Sequence, residues 1–379
     1  MSHLRFFAAA LVWNYGLGMT HVVVPLYAHA QGLSGAEIGV LFSAPVLAQV
    51  SISLLGGAWS DRVGGKRILL ASSALMALGG LAFLGAEGFW TLLGCQLVMI
   101  VSRAAFWPAT WSLASELPGD RGAQMGRLNA TTNSGQIVGT ASCGFLLALG
   151  GFTPTFVVLA ILGVVSMILV QGTPAAGRKP AAQAGVFAHF RSLLGRRIIY
   201  YSVLCAYLSA VPITLSATFF PLVLKSLGFA ADASGLLISL RAVGSIAAGL
   251  WIGRFVRSGA TSLWNVGAGC ALALAVGALP LFGHAAALAA LMLVIGIGAG
   301  LMTLYFQITI SEASSAAERG SAMALGGMGW GLSHFTSPLV VGLLADRHGL
   351  AVGFHALGAV TLACVVALAL LRPWAFRTA

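Results

Sequence analysis

Pro25, Leu26, Gly32, Gly39 and Ser43 recur as Pro221, Leu222, Gly228, Gly235 and Ser239, every one displaced by 196 positions. Farther along, Arg121, Gly122, Met125, Gly144, Gly151 and Phe156 recur as Arg319, Gly320, Met323, Gly342, Gly349 and Phe354, displaced by 198. The chain is a duplicated half, so any fold it adopts must hold the same unit twice.

That unit belongs in a bilayer. Of 379 residues, 59% are hydrophobic and only 8% charged, against about 25% charged in soluble domains. A helix crossing the hydrocarbon core needs about 20 largely apolar residues. Twelve runs meet the need, predicting spans at 5–28, 35–59, 67–86, 90–114, 126–149, 153–172, 198–222, 232–255, 261–282, 285–311, 322–345 and 350–371. The polar stretch between the sixth and seventh, rich in Ala, Gly, Pro and Arg, reads as a linker. The expected organisation is an N-terminal six-helix bundle at 1–172, a cytoplasmic linker at 173–197 and a C-terminal six-helix bundle at 198–379. Duplicated membrane halves of like orientation are the construction plan of secondary transporters, whose substrate site is expected where the halves meet.

A net charge of +11 invites a nucleic-acid reading, but its placement argues for a membrane instead. With a cytoplasmic amino terminus, sixteen of the twenty Lys and Arg residues face the cytoplasm, and only Lys225 and Arg347 fall outside. This positive-inside distribution predicts a multi-pass protein of the cytoplasmic membrane with both termini cytoplasmic. The bilayer is the partner, and no nucleic acid is implied. Cys95, Cys143, Cys205, Cys270 and Cys364 all fall inside predicted spans without CxxC spacing, as small core residues do. Ala28-His29-Ala30 after an apolar run mimics a signal-peptide cleavage site. The run is too long for one, and its internal copy marks it as the first span.

Between spans two and three the chain reads Gly57-Ala-Trp-Ser-Asp61-Arg62-Val-Gly64-Gly65-Lys66-Arg67. An acid there works against the positive-inside bias, so the turn holds more than topology requires. It resembles the signature GxxxDRxGRK of the major facilitator superfamily: Gly57, Asp61, Arg62, Gly64 and Lys66 match, and Gly65 replaces the usual Arg. The second copy keeps Arg254 and Arg257 but no acid. The resemblance covers the whole chain and implies an all-α membrane protein of twelve transmembrane helices in two pseudo-symmetric six-helix bundles. They would rock around a central site without cofactor or metal. It further implies that Asp61 caps the start of span eleven near Arg319, where unpaired N–H groups and the helix dipole favour a carboxylate. Arg62 could then pair with Glu116. Gly57, Asp61, Arg62, Gly64, Lys66, Glu116, Arg121 and Arg319 form the expected cytoplasmic gate; the plainer alternative for Asp61 and Glu116 is solvated loop charge. On span five, Gly126, Gly135, Gly139 and Gly144 resemble the family's antiporter signature G(x8)G(x3)GPxxGG, although Thr140 replaces its proline and Cys143 its penultimate glycine. Pro338 holds the matching place in span eleven. Such small residues also simply let helices approach.

Two charges lie inside spans, Arg103 in the fourth and Arg241 in the eighth. An intramembrane ionisable residue is costly enough to be a functional hypothesis by default. Arg103 shares a helical face with Gln96, Trp107 and Thr110, a face expected to be wet or substrate-facing. The superfamily's span-four signature RxxQG carries over only in this Arg, because Phe106 and Trp107 stand at its Gln and Gly. No Asp or Glu lies deep in a span, so the cavity is expected to favour an anionic or strongly hydrogen-bonding solute. Histidines His21, His334 and His355 are the candidate proton carriers, with hydrogen-bonded packing as the plainer reading. The Gly296-Ile-Gly298-Ala-Gly300 run has no strand before it and reads as close helix packing rather than a dinucleotide loop.

The expected solute contacts are Asn14, His21, Gln49, Gln96, Arg103, Trp107, Asn133, Gln136, Tyr207, Arg241, Tyr305, Gln307 and His334. They predict a monomeric alternating-access carrier of a small anionic or strongly polar organic solute, with or without proton coupling. The alternative is a proton-coupled efflux antiporter for drugs or metabolites. A polytopic enzyme acting on lipid would need convergent acids, a nucleophile or a metal cluster at one membrane face, and the sequence offers none.

Overall fold

In lipid, every backbone N–H and C=O must be satisfied within the segment that carries it, and the apolar runs accordingly fold as helices. The computed structural model describes residues 2–115, 117–118, 121–173, 194–252, 255–256, 262–314 and 319–376. Within them lie α1 (Ser2–Ala30), α2 (Gly35–Val63), α3 (Gly65–Phe83), α4 (Gly88–Ser115), α5 (Arg121–Gly150), α6 (Phe152–Gln171), α7 (Arg197–Ser216), α8 (Phe220–Ser226), α9 (Ala231–Ala247), α10 (Ser262–Ala278), α11 (Ala285–Ala313), α12 (Arg319–His348) and α13 (Leu350–Ala375). A π-turn (Ala248–Ile252) prolongs α9, and a 3-10 turn (Leu279–Leu281) prolongs α10. Each expected span holds a helix, and nine of the helical stretches among the described residues are long and apolar enough to cross a membrane.

Helix ends explain part of the repeat. The paired glycines Gly32 and Gly228 take φ of 81° and 88°, and Gly151 and Gly349 take 75° and 88°. A side chain at such φ costs about 1–2 kcal/mol, so the same turn demands the same residue in both copies. The paired prolines diverge. Pro25 lies inside the unbroken α1, whereas Pro221 stands in the first turn of α8, after a turn at 217–219 that splits the expected seventh span. At the start of α2, Ser34 and Glu37 form a reciprocal cap: the Ser34 N–H donates to Glu37 Oε2 at 2.8 Å and the Glu37 N–H to Ser34 Oγ at 3.2 Å.

The chain divides into two compact units, Met1–Ala182 with Phe229–Ser239 and Gln183–Gly228 with Leu240–Ala379. In the first, α1 crosses α5, and α3 packs on α4 and α6. A Cβ at Gly80 would stand 2.6 Å from the Ala160 nitrogen, so α3 and α6 meet backbone to backbone. Ser72 and Ser102 join α3 to α4 by mutual hydroxyl-to-carbonyl bonds of 2.8 and 2.7 Å. In the second unit α7 crosses α12, and α10 packs on α11 and α13. There a Cβ at Gly358 would stand 2.6 Å from the Gly277 Cα. Lipid gives helices no hydrophobic reason to associate, so close approach of small residues and buried hydroxyl bonds hold each unit together.

Candidate functional site

In the first unit the candidates lie on α1, α2, α4 and α5. Gln96, Arg103 and Trp107 are all half-buried on α4, and their spacing places them on one stripe. The Arg103 Nε is sealed from solvent and has no hydrogen-bond partner. Thr110, expected on the same wet face, is instead fully buried and turns its hydroxyl back to the Phe106 carbonyl. The stripe continues through Trp111, which is 45% exposed. An aromatic ladder lies beside it. Trp13 of α1 stacks on Phe106 with centroids 3.8 Å apart and planes within 8°. Phe106 meets Trp107 edge-on at 5.3 Å, and Trp107 lies 5.7 Å from Trp111. Pro108 interrupts α4 here, depriving the Ala104 carbonyl of its i+4 donor.

Asn14 is fully buried where α1 meets α5. Its amide donates to the Ala10 carbonyl at 2.9 Å and accepts from Gln136 Nε2 at 3.2 Å. A Cβ at Gly139 would collide with the Tyr15 carbonyl oxygen, and one at Gly135 with that of Leu11. Two glycines of the antiporter-like pattern are therefore accounted for by helix approach. Thr140, at the pattern's proline position, donates to the Gly18 carbonyl at 3.2 Å. Gly144, the last of that pattern, lies against the backbone of Ala231 and Asp232 at the start of α9. His21 is buried on α1, Gln49 half-buried on α2, and Asn133 exposed on α5.

In the second unit, Arg241 on α9 is 7% exposed, and its Nε too is sealed without a hydrogen-bond partner. α9 presses on α11 at this point, since a Cβ at Gly296 would collide with the Arg241 carbonyl oxygen. Gly300 meets α9 likewise while Gly298 meets Ala268 and Leu272 of α10, so the Gly296 to Gly300 run is packing. Tyr207 on α7 is buried, with its hydroxyl 3.1 Å from Thr336 Oγ1 of α12. Trp330 Nε1 donates to Ser209 Oγ at 2.8 Å, and its carbonyl lies 2.8 Å from Nδ1 of the half-buried His334. Tyr305 is fully buried on α11 and Gln307 half-buried. His355 sits at the α13 face, 2.7 Å from the Gly277 carbonyl.

Among the described residues the helical carboxylates stand at or near helix ends: Glu37 and Asp232 in first turns, Glu312 and Asp346 close to C-termini. Also among these residues, no three His, Cys, Asp or Glu side chains are grouped to hold a metal ion, and the five cysteines are free thiols. Glu116 lies outside the described residues, as do the side chains of Asp61, Arg62, Arg121 and Arg319, although their backbones and that of Gly57 are helical. Gly64 makes the turn with φ 93°. Lys66 Nζ donates to the Gln171 and Thr173 carbonyls, at 2.7 Å each, capping the C-terminal end of α6.

Sequence periodicity missed Trp13 and the Lys66 contact, both of which depend on partners from distant helices. Trp111 was within its reach, being one turn beyond Trp107.

The sequence model of the Major Facilitator Superfamily matches residues 6–303 and 203–376. The chain belongs to this superfamily. As a superfamily member it is a multi-pass membrane protein, and solved structures agree in fold. The nucleoside transporter NupG superposes with a TM-score of 0.78 over 100% of both chains at 16% identity. A bacterial homolog of the human lysosomal transporter Spinster gives 0.73 over 98% of this chain and 95% of its own, at 17% identity. In sequence, the quinolone resistance protein NorA of Staphylococcus aureus is 28% identical over 156 residues, 41% of this chain and 40% of NorA. Multidrug resistance protein 2 of Bacillus subtilis is 27% identical over 148 residues, 38% of this chain and 37% of its own length. The chain thus matches about two fifths of the length of these relatives.

Proposed function

We propose that this superfamily member carries a small anionic or strongly polar organic solute across the cytoplasmic membrane by alternating access. It acts as a carrier rather than an enzyme, as a monomer with both termini cytoplasmic. The observation that carries the reading is the sealed, unpartnered Nε of Arg103 in one unit and of Arg241 in the other, in a chain whose described helical carboxylates keep to helix ends. A mid-helix charge in a bilayer costs about 2.5–3.5 kcal/mol on insertion scales. A solute anion offsets that cost through charge-assisted bonds, which are about twice as strong as neutral ones. A solute bound more tightly in one conformation than in the other then shifts the population between them. The gate residues Gly57, Asp61, Arg62, Gly64, Lys66, Glu116, Arg121 and Arg319 belong to the same proposal as the cytoplasmic latch.

Arg103→Lys and Arg241→Lys test the reading, because lysine keeps the charge but loses the planar fork. With a solute found by thermal-shift screening, each Lys variant is expected to bind about tenfold more weakly, which corresponds to about 1.4 kcal/mol. Each Gln variant is expected to bind more weakly still. Unchanged affinity in both Lys variants refutes the proposal.

A second reading, proton-driven efflux of drugs or metabolites, is favoured by the likeness to the two resistance proteins. It assigns proton transfer to His21 or His334. Transport into inverted vesicles that collapses when the pH gradient is dissipated, with Arg103→Lys leaving equilibrium binding intact, would select it.

A further inference from the structure

The α4 stripe constrains the solute beyond its charge. Trp107 follows Arg103 by four residues and Trp111 follows Trp107 by four, so aromatic surface begins one turn from the guanidinium and continues for a second. The two indoles are inclined by 39° rather than stacked. Trp107 is half-buried and Trp111 45% exposed. Their support is fixed from behind. Phe106 is held face to face by fully buried Trp13 and forms a T-shaped pair with Trp107. Thr110, on the turn between the two indoles, closes its hydroxyl onto its own helix and offers the stripe no polar contact. The surface facing a bound solute is therefore a cation at one end and indole over the next two turns.

We infer that the solute is an aromatic anion, an aryl carboxylate whose acid group meets Arg103 and whose ring lies against Trp107, with Trp111 extending the platform. The inference rests on the reading of Arg103 as a solute ligand. A ring's π face is matched by indole, whereas a saturated ring of like charge gains only contact area. An aryl cation would bring its charge to the guanidinium and be repelled.

The test uses the full-length protein in nanodiscs, titrated calorimetrically with three probes: 2-naphthoate, cyclohexanecarboxylate and 2-naphthamide. Naphthoate is expected to bind at least tenfold tighter than either of the others. Trp107→Leu is expected to lose about tenfold for naphthoate and nothing for cyclohexanecarboxylate, and Arg103→Lys to weaken both carboxylates. Trp107→Phe keeps a ring, retains naphthoate affinity within about threefold, and serves if the Leu variant does not fold. Equal affinity for naphthoate and cyclohexanecarboxylate overturns the aromatic inference and leaves the anion reading standing. Naphthamide binding as tightly as naphthoate, with Arg103→Lys without effect, overturns both. Binding of none of the three overturns the aromatic inference alone. If Trp111→Leu reduces membrane insertion but not naphthoate affinity, Trp111 is an interfacial anchor and the platform is confined to Trp107.

Discussion

One helix crossing is built twice in this molecule from different chemistry. In the first unit, Gly18, Gly135 and Gly139 bring the backbones of α1 and α5 into contact. The joint is then tied by the Asn14–Gln136 amide pair, by Thr140 on the Gly18 carbonyl, and by Tyr15 with Ser142 at 2.7 Å. In the second unit, α7 meets α12 at Gly329, where a Cβ would stand 2.8 Å from the Tyr207 nitrogen. The ties there are Trp330 to Ser209 and Tyr207 with Thr336. At an offset of 198, Gly139 becomes Ser337, Thr140 becomes Pro338 and Gln136 becomes His334. Duplication has kept the crossing and exchanged its bonds, so a neutral amide on one side corresponds to a titratable imidazole on the other.

Removing the glycine that only one copy needs is the sharpest way to break this comparison. Gly139→Ala drives a methyl onto the Tyr15 carbonyl and is expected to cost about 3 kcal/mol, the upper range for overpacking. Ser337→Ala, at the matching place, loses a hydroxyl 3.3 Å from Ser333 Oγ and is expected to cost about 1 kcal/mol or less. Thermal unfolding of both variants in detergent measures the difference, and equal shifts would mean the two crossings are alike.

Exchanging the tie has a smaller expected effect. Gln136→Leu leaves Asn14 Oδ1 without its donor, at a cost of about 0.6–1.7 kcal/mol in a membrane interior. His334→Gln, which gives the second copy the first copy's residue, is expected to leave the pH profile of transport unchanged under the anion reading. Transport assayed across pH in proteoliposomes checks this, and loss of a wild-type pH response would favour the proton-driven reading. The least effect is expected at Lys66→Met, which uncaps α6 at a half-buried site, for about 0.3–1 kcal/mol. Salt titration of its melting temperature should show the deficit shrinking as ionic strength rises.

The helices were legible because lipid leaves the backbone no alternative, and the turn glycines because positive φ admits little else. Other features depend on which helix lies opposite. Nothing local shows that Trp13 stacks on Phe106, or that Lys66, part of the loop signature, bonds the end of α6. Periodicity placed Thr110 on the face of Arg103, but a hydroxyl that bonds its own helix withdraws from that face. Arg103 and Arg241 stood out from the sequence alone, since a charge amid apolar residues requires an explanation wherever it points.

The split of the seventh span has a mechanical consequence. α1 is a continuous rod of 29 residues, about 43 Å at 1.5 Å per residue, and torque applied at one end reaches the other. Its copy is a 20-residue shaft and a seven-residue tip joined at 217–219. There Ala217 shares its N–H between the Ile213 and Thr214 carbonyls, and Pro221 supplies none. Such a joint bends by exchanging one weak hydrogen bond for another. The second half of the duplicated chain therefore possesses an elbow where the first has a lever.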